Sequence, residues 1–187
     1  AAPARDAIDW PRVVPFVLLH LGCGEVAWVG VRATALLVAG GLYFARMFAL
    51  TAFYHRYFSH RAFETNRLWQ FLFACLGAAA IQRGPLWWAA HHRDHHRVSD
   101  RPEDVHSPVA HRFWWSHVGW ILSERHDATE ADRVKDLARF PELVWLDRWH
   151  LAPPLALAAV LFLAGGLPAL LWGFFVSTVA LWHGTFA

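Results

Sequence analysis

Leu68-Trp69-Gln70-Phe71-Leu72-Phe73-Ala74-Cys75-Leu76-Gly77-Ala78-Ala79-Ala80-Ile81 is apolar and only fourteen residues long. A helix of that length covers ~21 Å, against ~30 Å for the hydrocarbon core of a bilayer. Leu68, Phe71, Leu72, Cys75, Leu76 and Ala79 recur at helical spacing, so the stretch reads as a helix. We take it to lie in the interface or to pack inside the protein, ended by Gly84-Pro85, and not to cross. Two histidine clusters flank it: His55-Arg56-Tyr57-Phe58-Ser59-His60 before and His91-His92-Arg93-Asp94-His95-His96 after. Without a crossing, both clusters lie on one side of the membrane and can converge. With one, the bilayer would separate them.

Outward from this stretch the chain reads as membrane protein. Of its 187 residues 56% are hydrophobic and 17% charged, short of the ~25% charged of a soluble domain. That composition excludes disorder, and a formal charge of +2 excludes a strongly basic nucleic-acid binder. Cys23 and Cys75 stand alone in apolar runs, with no disulfide framework. Val13 to Val31 is long enough to span, though His20 and Glu25 interrupt it, and Ala33 to Tyr54 follows after Gly30-Val31-Arg32 and carries Arg46. A second hairpin runs from Trp149 to Gly165, turns at Gly165-Gly166-Leu167-Pro168 and returns from Ala169 to Phe186. Between the hairpins, Asp127 to Arg139 reads as a short water-facing helix capped by Thr129 and stopped by Pro141. The predicted fold is one all-α integral-membrane domain over residues 1–187: two transmembrane hairpins, four spans, and a His-rich helical cap. Thirteen of the seventeen Lys and Arg residues fall between His55 and His150, which places the cap and both termini in the cytoplasm. The N-terminus shows no cleavable signal pattern and no initiator Met.

The histidines carry the chemistry. On a helix His92, His95 and His96 fall within an arc of about 100°, with His91 at its edge. Three imidazoles on one face suit iron or zinc. His55 and His60 lie about 140° apart on an ideal α-helix and need a helix end, or two different ions, to act together. Five spaced histidines at a membrane boundary are costly without a role. His20, His111, His126 and His150 read instead as surface or hydrogen-bonded core residues, and Trp87-Trp88 and Trp114-Trp115 as interfacial anchors or packing. Asp94 and Asp104 are candidates to orient ligand imidazoles, or else belong to a solvated face. Glu103-Asp104-Val105-His106 has the E-x-x-H spacing of helical-bundle di-iron proteins, but it is a single copy between Pro102 and Pro108, where that architecture needs two plus two further Glu. Zinc-protease and nucleotide-binding motifs are missing.

From about Tyr43 onward the sequence resembles the integral-membrane fatty acid desaturases, particularly the Δ9 acyl-CoA type. The resemblance rests on Tyr54-His55-Arg56-Tyr57-Phe58-Ser59-His60-Arg61, on His92-x-x-His95-His96, and on Phe113-Trp114-Trp115-Ser116-His117-Val118-Gly119-Trp120. It implies two iron ions bound almost wholly by histidine, with His55, His60, His92, His95 and His96 as ligands and no catalytic side chain beyond the metal centre. It implies O2 as co-substrate, a cis double bond, Δ9 by type, placed in an acyl chain on CoA or on a lipid, and a cytochrome b5-like, ferredoxin or rubredoxin electron donor. Gln82, Trp88 and Thr185 fall where that family lines the bend of its acyl tunnel. The compact loops and arginine-rich composition point to a bacterial inner membrane, and the distribution of basic residues puts the active site on its cytoplasmic face.

Two departures stand out. The family's Asn-Ser-x-x-His segment and third box, H-N/D-x-H-H, are not in residues 1–187, which end at Trp182-His183-Gly184-Thr185-Phe186-Ala187. The sequence therefore predicts a fragment with about half the ligands, unable to hold two irons firmly or to turn over. Where animal acyl-CoA desaturases carry Arg-Asp beside the second box, this chain has Ala90-His91. That leaves acyl-CoA and acyl-phospholipid both open, and the many arginines suit either phosphate-bearing carrier. Two alternatives stand beside desaturation: a membrane di-iron hydroxylase of alkanes, sterols or carotenoids, and a non-catalytic haem or metal protein with His20 and His183 as axial ligands.

Overall fold

The computed structural model describes residues 7–185, and apart from one isolated bridge between Ile8 and Ser123 its regular structure is helical. α1 (Trp10–Gly24) and α2 (Val26–Val29) form one run of 20 residues. Gly30, at φ 71°, takes a left-handed conformation that a side chain would strain, and turns the chain. α3 (Ala33–Phe48) then continues without a break into a π-helical segment, Ala49–Ser59. These 27 residues would make ~40 Å at the α-helical rise; the π-helical part rises less per residue, and the whole still exceeds a ~30 Å core. His55 and His60, near its end, thus lie about a bilayer's thickness from the Gly30 turn.

α4 (Arg67–Ala78) is the short helix predicted, at 12 residues, with the Asn66 side chain capping the Trp69 N–H at 3.1 Å. It ends before Ile81, at a turn where Ile81 and Arg83 both take positive φ. Gly84-Pro85 does not terminate it; Pro85 opens α5 (Pro85–Val98), which carries the second histidine cluster. Proline suits a first-turn position, where its missing N–H costs nothing.

The cap departs from prediction in one place. Thr129 caps no helix: its hydroxyl donates to Asp147 at 2.7 Å. Regular structure starts at Ala131 as a 3-10 turn, Ala131–Val134, and runs into α6 (Lys135–Ala138). Pro141 starts α7 (Pro141–Arg148) rather than merely stopping its predecessor. Nor is the segment simply water-facing, because Val134 and Leu137 are fully buried with Leu143, Leu146, Tyr54 and Phe58. Asp147, on α7, accepts from the Leu86 and Trp87 N–H groups at 3.0 and 2.9 Å, so the N-terminus of α5 is capped from across the cap. Both residues are buried, so Asp147→Ala takes the protein acceptor from two N–H groups at the helix start. We expect that substitution to destabilise the protein by roughly 1–3 kcal/mol, the cost of leaving the capped N–H groups unpaired. Asp147→Asn should lose much less, as thermal denaturation in detergent would show.

The last apolar run, Ala152–Thr185, comprises α8 (Ala152–Leu170), a π-helical turn (Leu171–Val176) and α9 (Ser177–Thr185). Gly166, at φ 63° and ψ −158°, breaks α8, and the chain folds back so that Leu161 meets Gly173. The reversal falls in the predicted Gly165-Gly166-Leu167-Pro168 turn; Phe186, the predicted end of the returning limb, lies outside the described residues. Three helices, Trp10–Val29, Ala33–Ser59 and Ala152–Thr185, are long and apolar enough to cross a membrane, the third carrying that reversal. Their outer faces expose Leu18, Leu21, Leu37, Phe44, Leu155 and Leu163, an apolar belt larger than water tolerates. Trp172 donates its indole N–H to Gly30 O at 3.0 Å, which ties the tip of the first hairpin to the second.

Arg46 joins these helices from inside and is only 3% exposed. Its guanidinium donates to Leu42 O at 3.2 Å, Ala79 O at 3.4 Å, Thr178 Oγ1 at 2.7 Å and Ser177 Oγ. Gly77 lies nearby against Tyr54, and a Cβ there would fall within the Tyr54 ring.

Candidate metal centre and acyl cavity

The π-helical segment answers the geometric difficulty of the first histidine cluster. A π-turn closes i→i+5, one residue more than an α-turn. The His60 N–H bonds to His55 O at 3.1 Å, so residues five apart stand one turn above the other. Their Nε2 atoms lie 3.0 Å apart. On α5, His92 and His96 are related by an ordinary α-turn, with Nε2 atoms also 3.0 Å apart. α5 packs across the π-segment, and the His55 and His92 rings meet at 4.6 Å between centroids. One nitrogen from each of His55, His60, His92 and His96 lies within 4.8 Å of the others. Ligands of one tetrahedral ion with bonds of about 2.0–2.1 Å stand ~3.4 Å apart, so the two 3.0 Å pairs need to open slightly and the wider pairs to draw in by up to about 1.4 Å for the four nitrogens to hold one ion. The donor set suits iron or zinc.

The protonation states favour ligation. Burial, followed by the neighbouring His55, His96, His60 and His95, lowers the pKa of His92 to about 3. Burial and then His60 and His95 lower that of His96. Neutral imidazole is the form that binds metal.

His95 shares the arc with His92 and His96 yet stands outside the tetrad. Its Nδ1 meets Asp104 Oδ1 at 2.9 Å. Asp104 is buried and also accepts from the Asp100 and His106 N–H groups at 3.0 and 3.1 Å. Burial alone would raise its pKa; the His95 ring and these two N–H groups outweigh that and hold it below the usual range. Of the two candidate orienting carboxylates Asp104 acts on a histidine, whereas Asp94 pairs with Arg97 at 2.6 Å and with Arg133. His106, set aside in the sequence with its E-x-x-H, has its ring 5.3 Å from that of His95 and its Nδ1 on Ser116 O at 3.0 Å. Nothing in its Pro-flanked sequence setting signals that place. His91 turns away from the tetrad: it stacks on Trp87 at 4.1 Å, bonds Trp87 O at 2.9 Å, and burial lowers its pKa to about 4.

A cavity of about 1130 Å³ runs past the cluster, with Phe16, Leu19, Met47, Leu50 and Trp182 on its apolar part and His55, His92 and His95 on its wall. The three residues expected at the tunnel bend form one chain along it. Gln82 Nε2 donates to Thr185 Oγ1 at 2.6 Å, and Trp88 Nε1 donates to Gln82 Oε1 at 3.3 Å. Trp88 then stacks on His92 at 4.6 Å, so the chain ends on a tetrad member. Trp87 and Trp88 both face the cavity, whereas Trp114 is exposed.

A second string of histidines lies elsewhere. His20 Nε2 is 3.0 Å from His183 Nε2, and His183 Nδ1 is 2.9 Å from His117 Nε2. Axial ligands to one haem iron stand two metal–nitrogen bonds apart, about 4 Å at the bond lengths of imidazole complexes. At 3.0 Å the His20–His183 pair is a hydrogen bond, with no room for a porphyrin between the rings.

Comparison with known proteins bears on this geometry. The family model described as "Fatty acid desaturase" matches residues 28–187. The chain is 39% identical over 137 residues to the sn-2 palmitoyl-lipid 9-desaturase of Nostoc sp. (strain 36), covering 71% of this chain and 48% of that protein. It is 30% identical over 194 residues to the sn-1 stearoyl-lipid 9-desaturase of Anabaena variabilis, covering 99% and 69%. It is 36% identical over 183 residues to the chloroplastic palmitoyl-monogalactosyldiacylglycerol delta-7 desaturase of Arabidopsis thaliana, covering 96% and 49%. The chain thus spans about half the length of the first and third of these relatives and 69% of the second.

Proposed function

The chain belongs to the fatty acid desaturase family, and from that premise we propose that it forms the membrane and metal-binding part of a desaturase acting on a lipid- or CoA-bound acyl chain. The observation that carries the reading is the imidazole tetrad, two of whose members, His55 and His92, stand on the wall of a cavity with an apolar end, His92 being joined by Trp88 to the Gln82–Thr185 bond.

In this reading His55, His60, His92 and His96 hold one iron, and His95, oriented by Asp104, serves a second. Once bound, the iron pair supplies the oxidising power of O2, which no acid or base side chain can bring to an alkyl C–H bond. The overall change is –CH2–CH2– plus O2, two electrons and two protons, giving –CH=CH– and two waters. A cytochrome b5-like protein, a ferredoxin or a rubredoxin delivers the electrons. The remaining work belongs to the chain's own residues. Phe16, Leu19, Met47 and Leu50 bind the acyl chain and exclude water. The Trp88–Gln82–Thr185 line fixes its bend opposite the cluster and sets which carbons face it, near position 9. Both limbs of Ala152–Thr185 cross the membrane in this architecture, giving four spans with the cap and termini on the cytoplasmic face of a bacterial inner membrane.

Expression of the complete coding sequence in a host lacking the activity tests this. Chromatography of its lipids should reveal a new cis-monounsaturated chain. A hydroxylated chain would instead identify the sister di-iron hydroxylase, and an unchanged profile in iron-loaded membranes would overturn both.

A further inference from the structure

Trp120, which follows the π-helical turn Trp115–Gly119, is only 8% exposed and lines the cavity. Its indole N–H is buried and, among the described residues, has no hydrogen-bond partner. The ring lies among other aromatic rings. Centre to centre it is 5.8 Å from Trp87, nearly parallel to it, 5.9 Å from His91 and 5.6 Å from His106. Two further buried atoms without a partner, Arg83 Nε and His150 Nδ1, belong to residues lining the same cavity. Arg83 spends its Nη2 on Asp127 at 2.6 Å and lies over the Trp87 ring at 5.1 Å, which leaves its Nε–H unused.

Buried polar atoms are normally paired, so unpaired ones gathered around a single cavity point to a ligand that fills it. An indole N–H can only donate, and it carries no charge. Its counterpart is therefore an acceptor, and a neutral one suits it, because anionic oxygens are drawn to guanidinium forks. The position of the ring narrows the choice. Trp120 packs on Trp87, which Arg83 covers, and through His106 it stands two ring contacts from His95. It thus lies between the charged wall and the histidines. An acyl group has one polar atom to place there, its carbonyl oxygen.

Resting on the reading that this cavity takes an acyl chain, we propose that the Trp120 indole N–H binds the carbonyl oxygen of that chain. The bond anchors the first carbon, and the bend at Trp88, Gln82 and Thr185 is then reached a fixed number of carbons later. An ester and a thioester offer the same oxygen, so the anchor serves either carrier.

The test uses the complete protein without O2 or electron donor, so that ligands bind and are not consumed. Two matched pairs are offered as radiolabelled ligands: stearoyl-CoA with S-octadecyl-CoA, and 1-stearoyl-glycerophosphocholine with its 1-O-octadecyl ether. Within each pair only the carbonyl differs. Whichever pair binds should show its carbonyl-bearing member held about fivefold more tightly, the worth of one hydrogen bond. Trp120→Phe keeps a ring against Trp87 and removes the N–H. It should bring the two members to within about twofold, by weakening the carbonyl-bearing one alone. Replacement of Trp120 by 3-benzothienylalanine, which exchanges the N–H for sulfur at the same ring size, repeats the comparison if Phe disturbs the fold. Equal affinities within the pair in the unaltered protein overturn the proposal and leave the proposed function standing. A preference that survives both replacements overturns it as well, as does an equal weakening of both members, which would make Trp120 a packing residue. Binding of neither pair overturns this proposal and the acyl cavity with it.

Discussion

Replacing His92 by alanine is expected to lower iron affinity by well over the ~10–100-fold that loss of an outer-sphere partner costs. His92 stands at the centre of the cluster: its Nε2 meets that of His96 at 3.0 Å, its ring packs on His55, and Trp88 stacks on its face. Its chain neighbour supplies the control. His91→Ala should keep the metal, because that ring lies on Trp87 with its Nδ1 on a main-chain carbonyl. Asp104→Asn should fall between them, within the 10–100-fold range, because it removes only the group that aims His95. Metal content after dialysis against a graded chelator, measured by elemental analysis, ranks the three. Equal losses in His91→Ala and His92→Ala would refute the arrangement of α5 described above.

The second large effect belongs to Arg46. Arg46→Ala should destabilise the protein by roughly 3 kcal/mol or more, since hydrogen bonds from a charged donor are worth ~1.5–3 kcal/mol each and a buried void adds to the loss. Three elements depend on that guanidinium: α3, the turn after α4 through Ala79 O, and α9 through Ser177 and Thr178. Gln82 lies three residues beyond Ala79 and Thr185 seven beyond Thr178, so the same contacts position the Gln82–Thr185 bond. Arg46→Met should recover most of the stability, because an apolar side chain of similar length fills the space without a buried charge. It should not restore the register of Gln82 and Thr185, so the products of Arg46→Met should be a mixture of double-bond positions. Denaturation midpoints and mass spectrometry of the products report the two effects separately. A single product from stable Arg46→Met would show that Arg46 serves packing alone.

Much of this arrangement was legible from residue spacing. The shortness of Leu68–Ile81, the breaks at Gly30 and Gly166, and the face shared by His92 and His96 follow from lengths and periods that a helix enforces. The resemblance placed Gln82, Trp88 and Thr185 together, and the three prove to be joined by hydrogen bonds. What the spacing hid were departures from the α period and partners far away in sequence. His55 and His60 looked ill-matched because an α-helix was assumed, and nothing in Ala49–Ser59 marks a π-turn. Thr129 reads locally as a helix cap, but it bonds to Asp147, which in turn caps the start of α5.

Because both arms of the tetrad come from residues 55–96, its assembly has a place in time as well as in space. The loop to be closed is short in chain terms, and closure costs rise only slowly with length. Chains emerge from synthesis N-terminus first, so this four-histidine cage can close while α8 and α9 are still being made. The cap residues that seat α5, among them Asp136, Leu143 and Asp147, also precede α8, so a nascent chain with residues 55–147 clear of the ribosome has the cage and its support before Trp182 and Thr185 complete the cavity wall.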